Sequence, residues 1–479
     1  MKQYLTLALC LLWAASGGRL NSPLLGASKP NVILILSDDH RYDFMGFLQR
    51  VPGLETPAMD RMAREGLHFR NAFVATSLCS PSRASILTGR YAHDHGVVDN
   101  QRPIPEGTTF FPSLLQRAGY QTGFVGKWHM GDVGDEPQPG FDHWISYQGQ
   151  GTYYDPYLNV NGTHVRREGY TADIVTDYAL AWIDQVSQGP FFLFLSHKSV
   201  HAMFEPAKRH LGRYENLQIP YPSTMAGRPE NYAGKPRWVR EQRNSWHGVD
   251  YMYHGEMDFD TFYRRYLETL LGLDESIARL LDHLVERGLD RDTVVIYMSD
   301  NGFCLGEHGL IDKRHMYEES VRVPMLVWAP GLFPSPREVQ EMVQNIDVAP
   351  TILELAGLPV PKDMDGRSFL PLLRGEPTEW RDAIFYEYYW EWNFPQTPTV
   401  FGIRTDQFKY IFYHGIWDID ELYDVVNDPE EKKNLALEPE HQNLLQKLRH
   451  RLFDWLEEEE AMSIPFRRPL GFRAADRKP

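Results

Sequence analysis

Four apolar runs of strand length along the chain break off at clusters of polar side chains. "NVILILSDDH" carries Asn31 into Asp38 and Asp39, and "QTGFVGKWHMG" ends in Lys127 and His129. "PFFLFLSHKSVH" ends in His197, Lys198 and His201, and "DTVVIYMSDNG" in Asp300 and Asn301. Apolar residues follow one another in these runs without alternation, the pattern of strands buried on both faces of a parallel sheet. Helical spacing separates them. Between Phe262 and Leu284, the residues Tyr266, Leu267, Leu270, Leu271, Ile277, Leu280, Leu281 and Leu284 keep i, i+3, i+4 periodicity. "DIVTDYALAWIDQV", ahead of the third run, behaves the same way. The alternation predicts an α/β fold: a large, mostly parallel central sheet flanked by helices, with right-handed crossovers. Ligands in such sheets bind beyond the carboxyl ends of the strands, where the polar clusters fall.

The texture changes near residue 375. "AIFYEYYWEWNF", "VFGIRTDQFKYIFYH" and "DIDELYDVVNDP" read as short aromatic strands, and an amphipathic helix follows from Pro439 to Glu459. These predict a smaller C-terminal antiparallel sheet plus helix, residues 375–479, packed on a catalytic domain of residues 28–374, with "LLRGEPTEWRD" as the seam. At the other end, "MKQYLTLALCLLWAASGG" has Lys2, an apolar stretch from Tyr4 to Ala15 and small residues suited to cleavage. Residues 1–18 therefore read as a signal peptide. The apolar stretch falls short of the about 20 residues a transmembrane helix needs. No membrane span is expected, and the chain is placed in the periplasm, the lysosome or the cell exterior.

Composition narrows the picture. The 479 residues are 42% hydrophobic and 13% aromatic, as a packed globular protein requires. A formal charge of −16 argues against a nucleic-acid partner, while leaving room for a local basic pocket around an anionic substrate. Of three cysteines, Cys10 leaves with the signal peptide. Cys79 and Cys304 are too few for a disulfide framework, so either they pair or Cys79 is kept for its chemistry.

Asp38-Asp39 and Asp300-Asn301 put four hard oxygen donors at two strand ends, a set suited to Ca²⁺ or Mg²⁺ and not to zinc. Such residues also cap helices and close turns, but two pairs on one sheet edge favour the metal. Cys79 precedes a predicted helix with Ser80 as its cap, Pro81 at its first position and Gly89 at its end. Unpaired backbone N–H groups there favour a thiolate, and Arg83, one turn on, can aim back at the same point. A structural cysteine capping a helix is the competing reading.

Cys79-Ser80-Pro81-Ser82-Arg83, followed by Leu87-Thr88-Gly89-Arg90, resembles the signature of the formylglycine-dependent sulfatases of the alkaline phosphatase-like superfamily. "FVGKWH", ending at His129, resembles a further family segment, as does Asp300-Asn301-Gly302 with Gly306-Glu307-His308-Gly309 and Lys313. "ELYDVVNDPEE" resembles the family's C-terminal part, so the likeness covers nearly the whole chain after the signal peptide. The resemblance implies that a formylglycine-generating enzyme oxidises Cys79 to formylglycine. One hydroxyl of the hydrated aldehyde then attacks sulfur, and the other lets sulfate leave. It implies Ca²⁺ held by Asp38, Asp39, Asp300, Asn301 and the modified Cys79. Arg83 orients the formylglycine, Lys127 and Lys313 bind sulfate together with His201, and His129 is the base for elimination. His201, placed by "HKSVHAMFEP", is the acid for the leaving alcohol, with His197 as the competing choice. "HKSVHAMFEPAKRH" and "RNSWHGVDYMYHG" resemble carbohydrate sulfatases, nearest to N-acetylglucosamine-6-sulfatases, which implies a sulfated saccharide substrate such as a glycosaminoglycan.

Other residues carry weaker expectations. His93 and His95 read as solvated loop histidines and not as a metal pair. His143, in "GFDHWISYQGQGTYYDP", is placed at the pocket mouth, and His308 and His315 at the rim around Lys313. Cys304 reads as a small buried hydrophobe, and Asn161-Gly162-Thr163 as a glycosylation sequon. Selectivity is assigned to Arg237, Trp238, Arg240, Arg243, Trp246 and His247, and to Tyr386–Trp392 with Glu387 and Glu391; inter-domain packing is the alternative for each. Two other functions stand beside the first: a phosphate or phosphonate monoester hydrolase of the same superfold, and a catalytically silent secreted glycan-binding protein. The intact set of Cys79, Arg83, Lys127, His129 and Lys313 speaks against the silent protein.

Overall fold

The structure, a computed structural model, describes residues 29–131, 134–186, 189–251 and 257–463; the predicted signal peptide lies outside them. The large sheet has ten strands: β1 Asn31–Ser37, β2 Leu67–Phe69, β3 Gln121–Lys127, β4 His143–Tyr147, β5 Tyr157–Val160, β6 Thr163–Arg166, β7 Phe191–Ser196, β8 Thr293–Ser299, β9 Met325–Trp328 and β10 Arg337–Val339. Their spatial order is β10-β2-β9-β8-β1-β7-β3-β4-β5-β6. The five central strands, β8 through β4 in that order, are all parallel. Every residue of β1, β7 and β8 is buried. Both flanks depart from the parallel pattern. β9 runs antiparallel to β8 and β2, and β5 and β6 add an antiparallel hairpin, which needs no crossover helix.

Unbroken apolar runs arise because the sheet has a core on each face. Val32, Leu34 and Leu36 enter one cluster with Ile86 and Leu87 of helix α1, Cys79–Thr88. Ile33 and Ile35 enter the other, with Val175 and Ile183 of α2 (Thr171–Val186) and Leu270 and Ile277 of α3 (Phe259–Glu286). Helix α3 outruns its predicted span because Asp258 caps it, its carboxylate accepting from the Thr261 amide at 2.9 Å.

A separate four-stranded antiparallel sheet comprises β11 Ala383–Tyr388, β12 Thr399–Thr405, β13 Phe408–His414 and β14 Glu421–Asp424. Helix α4, Gln442–Glu458, covers it through Leu445, Leu448, Leu452 and Trp455, which join Ile403, Tyr410 and Leu422 in one cluster. Among the described residues, no helix is long and apolar enough to cross a membrane.

Candidate active site

Strand order brings the polar ends together. Ser37 pairs with Ser299, Leu36 with Ser196, and Gly126 with Ser196. The residues that follow therefore sit about one strand spacing, roughly 4.8 Å, from their neighbours. Gly126 has φ 118°, and a Cβ there would lie 1.8 Å from the Ser196 carbonyl oxygen. This close approach lets Ser196 Oγ donate to the Lys127 carbonyl at 2.7 Å, and Arg83 Nη1 reach both, at 2.7 and 2.8 Å.

Asp39 has φ 60°, uncommon for a side chain other than glycine. The turn is held by Tyr266 of α3, whose hydroxyl donates to the Asp39 carbonyl at 2.8 Å and accepts from the Arg41 amide at 3.1 Å. Carboxylate oxygens of Asp38, Asp39 and Asp300 then lie within 4.8 Å of one another, fully buried. Asn301 Nδ2 donates to Asp39 Oδ1 at 2.6 Å, which leaves Asn301 Oδ1 and Asp39 Oδ2 buried without a hydrogen-bond partner. Orphaned buried oxygens in an all-oxygen set fit a hard divalent cation. Burial, with Asp38 and Asp300 beside it, pushes the Asp39 carboxyl up to about 7 against the pull of Lys313. Burial and Asp38 likewise raise Asp300. Burial would raise Asp38 too, but the charges of Lys127, Arg83 and Lys313 hold it well below the usual carboxylate range.

Each acid has a basic partner. Arg83 meets one oxygen of Asp300, Oδ2, through Nε at 2.9 Å and Nη2 at 2.8 Å, Lys127 Nζ meets Asp38 and Gln150 Oε1, and Lys313 Nζ meets Asp39. Lys313 Nζ also lies 2.9 Å from Cys79 Sγ, which is 3.4 Å from Asp38 Oδ1. Cys79 is itself the first residue of α1. The cap is Leu78, not Ser80, and Pro81 stands third; Gly89 ends the helix at φ 70°. Ser80 does not cap because its hydroxyl donates to the His129 carbonyl at 2.6 Å. Nor does the helix start favour a thiolate. Burial and the Asp38 charge push the thiol up to about 12, beyond what Lys313 and Lys127 offset, so unmodified Cys79 is a neutral thiol.

His201 is pinned by its own segment: Nδ1 bonds the Ala202 carbonyl, and Tyr153 OH donates to the His201 carbonyl at 2.6 Å. A ring nitrogen lies within 4.8 Å of Cys79 Sγ and an Asp38 oxygen. His129 is buried at φ 44°, its Nδ1 without a hydrogen-bond partner. Burial, reinforced by Lys127, holds both rings well below the ordinary histidine value, hence neutral. His197 turns away, its Nε2 bonding Ser276 Oγ of α3 at 3.0 Å.

Several expectations are corrected. His93 and His95 are not solvated, because the short helix Ala92–His95 folds back on its surroundings. His93 Nδ1 bonds Glu387 Oε2 at 2.8 Å, and buried His95 bonds Ser85 Oγ at 3.1 Å. Glu387, spent on His93 and Tyr389, is no substrate wall. His143 begins β4 opposite Gly123, stacked on Trp182, at the end of the sheet away from Lys127. His308 and His315 are buried against Tyr317. Cys79 and Cys304 are both free and buried. Trp238 is buried on Tyr413, Arg237 pairs with Glu241, and Arg243 pairs with Asp250. Arg240, Trp246, Trp390 and Trp392 stay exposed.

Sequence reasoning missed the buried network beside Lys313, in which Arg314 joins Asp312 at 2.8 Å and Glu391 at 2.7 Å, with His247 next to it. It also gave no role to Gln150, Tyr153, Ser196 or Lys198. Only Ser196 and Lys198 carried a signal, as polar residues at the end of an apolar run.

Residues 30–358 match the family model described as Sulfatase, and residues 306–458 the model described as N-sulphoglucosamine sulphohydrolase, C-terminal. The chain is 35% identical over 476 residues to the N-acetylglucosamine-6-O-sulfatase of Bacteroides thetaiotaomicron, with 85% of this chain and 82% of that protein covered. It is 30% identical to the N-acetylglucosamine-6-sulfatase of Homo sapiens, with 89% and 84% covered. A structure solved in complex with its substrate, D-glucosamine-2-N,6-O-disulfate, superposes with TM-score 0.80 at 33% identity, over 91% of this chain and 99% of that one.

Proposed function

Since the chain belongs to the sulfatase family, in the alkaline phosphatase-like superfamily, and is a sulfuric ester hydrolase acting on sulfated glycans, we propose that it removes a 6-O-sulfate from an N-acetylglucosamine-type sugar, using formylglycine at position 79 and a calcium ion. The observation that carries this reading is the seat of Cys79: first in its helix, fully buried, 2.9 Å from the Lys313 ammonium and beside the carboxylates of Asp38 and Asp300.

Asp38, Asp39, Asp300 and Asn301, with the modified side chain of residue 79, are the residues that would hold calcium. Bound there, the ion supplies Lewis acidity, and the hydrated aldehyde supplies one hydroxyl to attack sulfur and a second whose deprotonation frees sulfate. Lys313 and Lys127 face the same point and offset negative charge on the sulfate oxygens. Arg83 positions the nucleophile by tying Asp300, the Lys127 carbonyl and Ser196 to the first turn of α1. His129, kept neutral, accepts a proton at its unpartnered Nδ1 during elimination. His201 is neutral while the pocket holds only its own cations. An entering sulfate brings negative charge, favours its protonation, and so equips it to donate to the leaving sugar oxygen.

Residues 1–18 direct export in this reading, and a formylglycine-generating enzyme converts Cys79 during maturation. Residues 28–374 form the catalytic domain. Residues 375–479 complete its wall through Glu391 on Arg314.

The test is the mass of the peptide containing residue 79, together with sulfate release from N-acetylglucosamine-6-O-sulfate. Conversion to formylglycine lowers that mass by about 18 Da, and turnover is expected to track its occupancy. Undiminished turnover by a protein whose residue 79 is wholly thiol would overturn the mechanism. Faster release of phosphate than of sulfate from matched esters would overturn the substrate class.

A further inference from the structure

The three basic groups at the floor of the site each have a carboxylate of their own: Arg83 has Asp300, Lys127 has Asp38, and Lys313 has Asp39. Lys198 has none. It follows the end of β7 between His197, which turns into the fold, and the candidate acid His201. Only 8% of it is exposed, and among the described residues no carboxylate lies within 4.0 Å of its Nζ. Its ammonium faces the ring of Tyr153, 4.8 Å from the centroid. Tyr153 in turn donates to the carbonyl of His201. Lys198 and Tyr153 thus pack against the segment that carries His201, beside the reacting centre. A buried ammonium with no carboxylate in contact is costly, and aromatic contact offsets only part of that cost. Burial and neighbouring Lys127 push its pKa down to about 8, against the weaker pull of Asp38, Glu205 and Asp39. An anion brought by the substrate would restore the balance. The sulfate to be cleaved does not require this lysine, since Lys313 already reaches Cys79 Sγ and Lys127 meets Asp38 beside it.

We propose that Lys198 binds a second anionic group of the substrate, a sulfate or carboxylate on the same or the adjoining sugar, and so makes the enzyme prefer multiply charged glycans. The inference rests on the sulfated-glycan reading.

It is tested by kcat/KM for N-acetylglucosamine-6-O-sulfate, for D-glucosamine-2-N,6-O-disulfate, and for a 6-O-sulfated disaccharide bearing a uronate. The parent protein, with residue 79 converted, is expected to favour at least one doubly charged substrate. Which one it favours separates sulfate from carboxylate as the group bound. Lys198→Met is expected to cut that preference about tenfold or more, chiefly through KM, and Lys198→Arg to keep most of it. A parent with no preference for either doubly charged substrate overturns the proposal without recourse to any variant. So does a folded Lys198→Met whose preference equals the parent's. A converted parent that hydrolyses none of the three overturns the sulfated-glycan reading itself, a distinct result.

Discussion

Replacing Arg83 by methionine removes the guanidinium and keeps a side chain of similar length. Arg83 is 1% exposed; its Nε donates to Asp300 Oδ2 at 2.9 Å, and its Nη2 lies 2.8 Å from the same oxygen as an ion-pair contact. Its Nη1 donates to Ser196 Oγ and to the Lys127 carbonyl. Taking one partner from a buried ion pair costs about 3–5 kcal/mol, because the remaining charge stays buried. Each neutral bond adds about 1 kcal/mol. For a chain of this size such a loss lowers Tm by roughly 5–10 °C. The assay is thermal unfolding of parent, Arg83→Met and Arg83→Lys, in chelator and in calcium. Lysine returns the charge without the planar set of guanidinium donors, so it is expected to recover about half of the loss. Calcium is expected to shrink the deficit, since a divalent ion held by these carboxylates would replace the missing charge. Sulfate release by Arg83→Met is expected to fall about 10²-fold or more. A Tm within about 2 °C of the parent in chelator would refute the electrostatic account of this site.

Three further expectations follow from single contacts. Gly126→Ala places a methyl 1.8 Å from the Ser196 carbonyl oxygen at φ 118°, so loss of about 3 kcal/mol or more is expected in chemical denaturation; a loss below about 1 kcal/mol contradicts the strand contact. Burial holds His95 at about 3 in the folded state, against about 6.5 unfolded, so its neutral form contributes stability that is fully present above pH 6.5 and drains as pH falls. Denaturation of His95→Gln and parent at pH 7 and pH 5 should therefore show the variant gaining on the parent in acid, and a constant gap would contradict this. Calcium at one hundred times its Kd is expected to stabilise the parent by about 2.7 kcal/mol, and Asp300→Ala to abolish that shift; an unchanged shift in the variant would remove Asp300 from the metal site.

Much of the fold was legible because its cause is local. Unbroken apolar runs such as Val32–Leu36 state directly that both faces of a strand are buried, and the spacing from Tyr266 to Leu284 states one helix face. The short antiparallel strands at the sheet's flanks were less so, since residues such as those of Tyr157–Val160 and Thr163–Arg166 carry no long apolar run. The choice between His197 and His201 also lay outside the pattern. Both follow the same strand, and only the packing of Ser276 on α3 turns one of them inward.

The sequence by itself determined which residue types stand at which strand ends, and that Cys79 lies next to a helix start inside a signature, four residues from Arg83. Only the tertiary structure decided which charges are neutralised. Arg83 meets Asp300 across 217 positions, and Arg314 meets Glu391 across 77, because strand order and chain return put them together. The same burial that joins these pairs raises the Cys79 thiol and leaves Lys198 with no carboxylate in contact among the described residues. Apolar periodicity is a property of neighbours along the chain, whereas the cost of a buried charge depends on every group that surrounds it in space.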